Sequence, residues 1–120
     1  MKQSILIVDD DVISLKLAGL ILTRERYEVH KAKAGIDAIN FLRRKQVDLI
    51  LMDIKMPMMS GLKALEKIRG DKAIAQTPVI FLTSSADTET VTAACRLEPV
   101  DYIKKPFEPD ELLERVRRAL

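Results

Sequence analysis

Residues 47–53 (Val47-Asp48-Leu49-Ile50-Leu51-Met52-Asp53) form an apolar run that ends on a carboxylate. Three other short apolar runs also end on polar groups. They are Ile5 to Val8 before Asp9-Asp10-Asp11, Pro78 to Leu82 before Thr83-Ser84-Ser85, and Tyr102 to Lys104 before Lys105-Pro106. Such continuous apolar runs are typical of strands that are buried on both faces. If they are parallel strands of one sheet, the four polar groups meet at its carboxyl edge, where open α/β sheets bind their ligands.

The groups expected at that edge suggest a particular chemistry. Several carboxylates, the hydroxyl of Thr83 and the ammonium of Lys105 would lie together. Carboxylate oxygens are ligands that Mg²⁺ favours, and an aspartate can act as a nucleophile toward phosphorus. The sequence therefore predicts a magnesium-dependent phosphoryl site built around Asp53.

The rest of the chain alternates between strand and helix signals. We predict a further strand at Tyr27–Ala32 and a polar connection at residues 70–77. The predicted helices are residues 12–25, Gly35–Arg44, a segment capped by Ser60, Asp87–Leu97, and a segment that begins near Pro109. Five β-α units with short connections are characteristic of a doubly wound parallel sheet in the α/β class.

Composition limits the classes of function. The chain has 120 residues, of which 48% are hydrophobic and 32% charged, and its formal net charge is +2. We therefore expect one domain over residues 1–120, with no nucleic acid binding and no membrane binding. Cys95 is the single cysteine, so an internal disulfide is excluded. No secretory leader precedes the first apolar run, and we expect a cytoplasmic protein.

The motifs resemble a known family. Val8-Asp9-Asp10, Met52-Asp53-Ile54-Lys55-Met56-Pro57 with Gly61, Leu82-Thr83-Ser84 and Lys105-Pro106-Phe107 are similar to the receiver domain of two-component response regulators. Each motif alone is weak, but their order and their places at strand ends are specific, and together they cover almost the whole chain. The resemblance implies a flavodoxin-like fold with five parallel strands in the order 2-1-3-4-5 and five helices.

The resemblance also implies a function and roles for individual residues. A sensor histidine kinase or a phosphotransfer protein would phosphorylate Asp53, and the domain would then shift between two conformations. Mg²⁺ would be held by the carboxylates of Asp9, Asp10 and Asp53 and by the backbone carbonyl of Lys55. Thr83 and Lys105 would contact phosphoryl oxygens, so the domain would catalyse only its own phosphotransfer and dephosphorylation.

A switch pair is implied as well. Thr83 and Tyr102 would couple phosphorylation to a surface formed by the fourth helix, the fifth strand and the last helix. A downstream effector or a second copy of the chain would bind there, with Lys104, Arg115 and Arg118 as contact charges.

Two positions depart from the pattern of the family. Many receivers have glycine where this chain has Glu98, and a residue before proline favours extended geometry, which puts the end of the fourth helix in doubt. Asp11 adds a third acid beside the pocket. A purely structural interpretation is that Asp9-Asp10-Asp11 caps the first helix. We interpret Cys95 as a small packing residue and His30 as a surface or satisfied histidine.

Two other functions compete with the phosphoacceptor. A degenerate receiver would serve only as an interaction module, which the complete set Asp9, Asp10, Asp53, Thr83 and Lys105 argues against. A phosphohydrolase of the haloacid dehalogenase type would use Asp9 as its nucleophile. That alternative leaves Asp53 unexplained, and the sequence after Lys105 lacks the acidic motif of those enzymes.

Overall fold

The computed structural model describes residues 2–84 and 88–120. Within them, five parallel strands form one sheet in the order β2-β1-β3-β4-β5. The strands are β1 (Ser4–Val8), β2 (Glu28–Ala32), β3 (Leu49–Asp53), β4 (Val79–Thr83) and β5 (Asp101–Lys104). The helices are α1 (Val12–Arg24), α2 (Gly35–Arg44), α3 (Gly61–Arg69), α4 (Thr88–Cys95) and α5 (Pro109–Ala119). The predicted fold class and strand order are confirmed.

Alternate residues of the central strands face opposite sides of the sheet. Ile5 and Ile7 of β1 pack with buried side chains of α1 and α5, such as Leu15 and Leu112. The intervening residues of β1 contribute instead to a second core, which is lined by buried side chains of α2, α3 and α4. Because helices cover both faces, β1 and β3 are apolar apart from Ser4 and Asp53 at their ends, which is why they form continuous apolar runs in the sequence.

Two helices begin at residues whose side chains cap them. The Asp11 carboxylate accepts a hydrogen bond from the backbone N–H of Ile13 at 3.0 Å, and Ser60 Oγ accepts one from Lys63 N at 3.1 Å. Pro109 occupies the first turn of α5, where its missing N–H costs nothing. These local signals explain why the starts of α1, α3 and α5 are predictable.

The connection between α3 and β4 lies where the sequence predicts it but is not wholly polar. Ile74 is buried in the core beside α2 and α3. Arg69 is half-buried and donates hydrogen bonds to the carbonyls of Ala75 (2.9 Å), Thr77 (2.7 Å) and Leu97 (3.3 Å). This guanidinium satisfies three backbone acceptors, and it ties the connection to the segment that follows α4.

The end of α4 also differs from the expected extended geometry. Glu98 has φ +54°, in the left-handed region that normally favours glycine, although Pro99 follows it. The backbone N–H groups of Leu97 and Glu98 donate to the carbonyls of Ala94 and Cys95, both at 3.1 Å, and so satisfy the end of the helix. The chain therefore makes the left-handed turn without glycine. The predicted helix start at Asp87, like Ser85, lies outside the described residues.

Candidate functional site

Strand register brings the predicted polar groups to one edge of the sheet. Val8 pairs with Met52, so Asp9 and Asp53 leave adjacent strands side by side. On the far side of β3, Asp53 pairs with Leu82, and Thr83 pairs with Lys104. Asp53 and Thr83 are the last residues of β3 and β4, so each strand includes the polar residue that follows its apolar side chains. Four chain segments thus converge on one small region, as predicted.

Lys105 connects the two buried carboxylates of the site. Its Nζ donates a hydrogen bond to Asp9 Oδ2 and lies 3.5 Å from Asp53 Oδ1. Its backbone N–H donates to the carbonyl of Thr83 at 2.8 Å, and the Lys105–Pro106 peptide bond is cis. The Lys105 side chain is therefore held at its backbone and at its ammonium group, which faces the carboxylates of Asp9 and Asp53.

The electrostatics of Asp53 favour its neutral form. Burial raises the pKa of Asp53 to about 6, and the charge of Asp9 adds to this rise while Lys105 opposes it. Burial alone lowers the pKa of Lys105, but its hydrogen bond to Asp9 and the charge of Asp53 raise the pKa above its usual value. One ammonium does not fully compensate this cluster of acids, so a further cation would stabilise it.

The three acids are arranged so that they can share that cation. Asp9, Asp10 and Asp53 each offer one carboxylate oxygen, and these oxygens lie within 4.8 Å of one another. Ligands on opposite sides of an octahedral Mg²⁺ are about 4.2 Å apart, so a small adjustment of the side chains brings these oxygens onto one ion. The donor set and spacing fit the predicted magnesium site. Lys55 is exposed in the loop after Asp53, where the sequence places it.

Asp11 has a different task from its two neighbours. Its carboxylate accepts hydrogen bonds from Ile13 N at 3.0 Å and from Ser14 Oγ at 3.1 Å, and its backbone N–H donates to Asp9 Oδ1. The hydrogen bond from Ile13 holds the pKa of Asp11 below its ordinary value. The helix-capping interpretation is therefore right for Asp11, while Asp9 and Asp10 face the site.

Close packing shapes the loop after Asp53. A Cβ atom built on Gly61 would lie 2.1 Å from the backbone carbonyl oxygen of Asp53, so glycine is required for α3 to begin this close to β3. Gly61 N also donates to the Ile54 carbonyl at 2.7 Å. Within this loop, Met56 is buried in the core and Met58 is fully exposed, with φ +70°.

Tyr102 lies two strands away from Asp53, on β5. Its ring is half-buried near Phe81, with ring centroids 6.2 Å apart, and its hydroxyl donates to Cys95 Sγ at 3.1 Å. Cys95 is exposed, so its interpretation as a packing residue is wrong. Arg115 and Arg118, predicted as contact charges, already pair within the chain with Asp101 and Glu114, at 2.6 and 2.8 Å. Lys104 is exposed.

Some contacts have no clear signal in the sequence. The tyrosine–cysteine hydrogen bond joins residues seven positions apart across a turn, and no motif predicts it. The hydrogen bond between Lys105 and Asp9 joins residues 96 positions apart in the chain, although the convergence of strand ends indicates that the two are near each other. His30 is satisfied, as interpreted, because Glu28 Oε2 lies 2.8 Å from its Nε2.

Comparisons with known proteins agree with this geometry. The family model described as "Response regulator receiver domain" matches residues 5–117. The chain is 40% identical over 116 residues to the regulatory protein AtoC of Escherichia coli, which covers 97% of the chain and 25% of that protein. It is 34% identical over 120 residues to the DNA-binding response regulator MtrA of Mycobacterium tuberculosis, which covers 100% of the chain and 51% of that protein. The chain thus spans about half or less of the length of these curated relatives.

Solved structures share the fold over nearly their full length. The chemotaxis protein CheY4 of Vibrio cholerae superposes with a TM-score of 0.94 at 27% identity, covering 100% of both chains. A CheY-like response regulator receiver domain protein from Methanospirillum hungatei superposes with a TM-score of 0.92 at 33% identity, covering 98% of this chain and 93% of that one.

Proposed function

Because the chain belongs to the response regulator receiver domain family of two-component signalling, we propose that Asp53 is its phosphoacceptor. The observation that carries this proposal is the position of Asp53, which is buried at a strand end with its Oδ1 3.5 Å from Lys105 Nζ. Of the acids in the site, Asp9 is already hydrogen-bonded to Lys105 and Asp10 is exposed. Asp53 is therefore best placed to carry the phosphoryl group.

The proposed reaction is a phosphoryl transfer from a histidine. A carboxylate oxygen of Asp53 forms the bond to phosphorus while the bond between phosphorus and the imidazole nitrogen of the donor breaks. Lys105 stabilises a phosphoryl oxygen as a point charge, and Thr83 donates its hydroxyl to another. The donor is a sensor histidine kinase or a phosphotransfer protein, and the chain catalyses only this transfer and its own dephosphorylation.

Mg²⁺ is the proposed cofactor. Asp9, Asp10 and Asp53 would hold it with the backbone carbonyl of Lys55, directly or through water. When bound, it neutralises charge on the phosphoryl oxygens and on the cluster of acids. The spacing of the carboxylate oxygens and the raised pKa of Asp53 support this assignment.

We place the phosphodonor on α1, which starts directly after the acidic cluster. Ile13, Leu17 and Leu20 are 76%, 45% and 60% exposed, and their spacing of four and three residues puts them on one face of the helix. An apolar stripe of this kind suits the apolar face of a partner's helix. Docking there would bring a donor histidine close to Asp53.

The output surface proposed for the phosphorylated state is formed by α4, β5 and α5. Thr83 and Tyr102 act as the switch pair, since a Thr83 side chain that moves toward the phosphoryl group leaves space for the Tyr102 ring. Exposed Val91 and Val100 give this face apolar area for an effector or a second copy. Arg115 and Arg118 are paired internally, whereas exposed Lys104 forms no ion pair among the described residues.

The other two functions receive less support. The degenerate receiver is disfavoured because Asp9, Asp10, Asp53 and Lys105 are all assembled at one site. The hydrolase alternative requires Asp9 as nucleophile, but its carboxylate is already bound by Lys105 and by the backbone N–H of Asp11.

No helix among the described residues is long and apolar enough to cross a membrane. We propose a cytoplasmic location, and binding of neither membranes nor nucleic acid by this domain.

Phosphorylation by a small donor tests the proposal directly. With Mg²⁺ and acetyl phosphate, the intact mass should rise by one phosphoryl group, and reduction with borohydride followed by peptide mapping should locate it on Asp53. Asp53→Asn should abolish the label, whereas Asp37→Asn, at an exposed position on α2, should retain it. A label on Asp9 would support the hydrolase instead, and an absence of label would support the degenerate receiver.

A further inference from the structure

The backbone of Tyr102 is held in place by the sheet and by Asp101. Tyr102 pairs with Phe81 in the sheet, and its N–H donates to Asp101 Oδ1 at 2.8 Å. Arg115 of α5 donates to the same oxygen at 2.6 Å and so fixes the start of β5. A change in the position of the Tyr102 ring must therefore come from rotation of the side chain.

The hydroxyl of Tyr102 has one partner in the described part of the chain, the thiol of Cys95. The oxygen and sulfur are 3.1 Å apart, and the bond joins β5 to the last residue of α4. The ring itself contacts the core that lies beneath α4. Burial of the ring and the hydrogen bond to Cys95 raise the pKa of the Tyr102 hydroxyl to about 12, as expected for a proton that is held in place.

We propose that the Cys95 thiol acts as a latch that holds the Tyr102 ring in its unphosphorylated position and so opposes the switch. The inference rests on the proposed function and adds its regulation. A ring that turns inward carries its hydroxyl away from α4, so the hydrogen bond must break. The bond then contributes to the equilibrium between the two states, and the phosphorylated arrangement has to overcome it.

A second hydrogen bond holds the segment that follows α4. Arg69 Nε, at the end of α3, donates to the Leu97 carbonyl at 3.3 Å. This tie does not involve Tyr102. Loss of the latch should therefore free the tyrosine ring while the segment after α4 stays attached to α3, so Cys95 variants should remain folded.

The test compares binding of beryllofluoride, a phosphoryl mimic, to the wild type and to Cys95→Ala in the presence of Mg²⁺. A neutral hydrogen bond contributes a net free energy equivalent to a factor of about 2 to 10, and sulfur is a weak acceptor, so we expect about 2- to 5-fold tighter binding in the variant. Thr92→Ala, at an exposed position on the same helix, controls for the change in helix propensity and should bind like the wild type. The beryllofluoride affinity of Cys95→Ser, which keeps a hydrogen-bond acceptor, should lie between those of the wild type and Cys95→Ala.

Two readouts separate failure of the latch from failure of the proposed function. NMR titration of the Tyr102 ring should show a lower pKa in Cys95→Ala than in the wild type, while burial of the ring keeps that pKa above its ordinary value of 10.0. If beryllofluoride binds to Asp53 equally well in Cys95→Ala and the wild type, the latch is excluded and the phosphoacceptor proposal stands. If the wild type does not bind beryllofluoride, or if Asp53→Asn binds it unchanged, the proposed function is wrong and the latch falls with it.

Discussion

Asp53 is a carboxylate in surroundings that favour its neutral form, and this has a consequence for stability. Burial and the charge of Asp9 raise its pKa to about 6 from 3.8. A group with a raised folded-state pKa binds its proton more tightly in the folded state than in the unfolded chain. In metal-free protein, the free energy of unfolding should therefore fall as pH rises from about 4 to about 6.

We predict that this loss amounts to about 1–3 kcal/mol in the wild type. Asp53→Asn keeps the shape of the side chain but has no proton to lose, so its free energy of unfolding should lack this component. Urea unfolding of both proteins at a series of pH values, with a chelator present, measures the difference between them. If the free energies of unfolding of the two proteins differ by the same amount at every pH, the pKa of Asp53 is not raised by folding and the prediction is wrong.

Other residues reveal their roles only after folding. Asp9, Asp10 and Asp11 are chemically identical in the sequence, but the first binds Lys105, the second is exposed at the site and the third caps α1. Spacing along the chain does not distinguish these roles, because they depend on where β1 ends and α1 begins. Glu98 is a similar case, since its left-handed conformation is imposed by the connection from α4 to β5.

The junction of β3 with α3 is the element that positions Asp53 most tightly. The backbone carbonyl of Asp53 leaves no room for a Cβ atom at Gly61, which would lie only 2.1 Å from the carbonyl oxygen. Gly61→Ala should therefore push α3 away from the strand and destabilise the protein by about 3 kcal/mol or more. Thermal and chemical unfolding measure this cost.

Gly70, at the other end of α3, provides a matched control. Its φ of −82° suits any residue, and an added Cβ would make ordinary contacts at 3.5 Å or more. Gly70→Ala should be neutral or stabilise the protein by up to about 1 kcal/mol, because alanine restricts the unfolded chain. Equal destabilisation by both substitutions would contradict the close-contact argument.

The same elements show what a sequence can predict. Strands buried on both faces and helices with Ser60 or Pro109 at their start carry strong local signals, and their positions are predicted to within one or two residues. The connection between α3 and β4 is predicted only as a polar segment, because the burial of Ile74 and the hydrogen bonds from Arg69 to its carbonyls depend on tertiary contacts. The edge of the sheet is predictable since parallel topology forces the strand ends together, whereas the partner of Tyr102 depends on side-chain directions across a turn.

Across the whole molecule, the cluster of acids links metal binding to global stability. A ligand that binds the folded state alone stabilises it in proportion to the logarithm of its concentration. If Mg²⁺ binds with a dissociation constant of about 1 mM, about 10 mM Mg²⁺ should add about 1.4 kcal/mol to the free energy of unfolding. Urea unfolding with and without Mg²⁺ measures this gain.

Asp10 and Asp11 make a charge-matched pair of variants for this experiment. Asp10→Asn removes one of the three clustered carboxylates and should abolish most of the gain from Mg²⁺. Asp11→Asn removes the same charge next to it, but asparagine also caps helices well, so both the fold and the gain should persist. If the two variants lose the gain equally, general electrostatic attraction explains the effect. If neither variant loses the gain from Mg²⁺, the ion binds elsewhere on the molecule. The carboxylates at the sheet edge would then no longer be a candidate for the metal site on which phosphorylation depends.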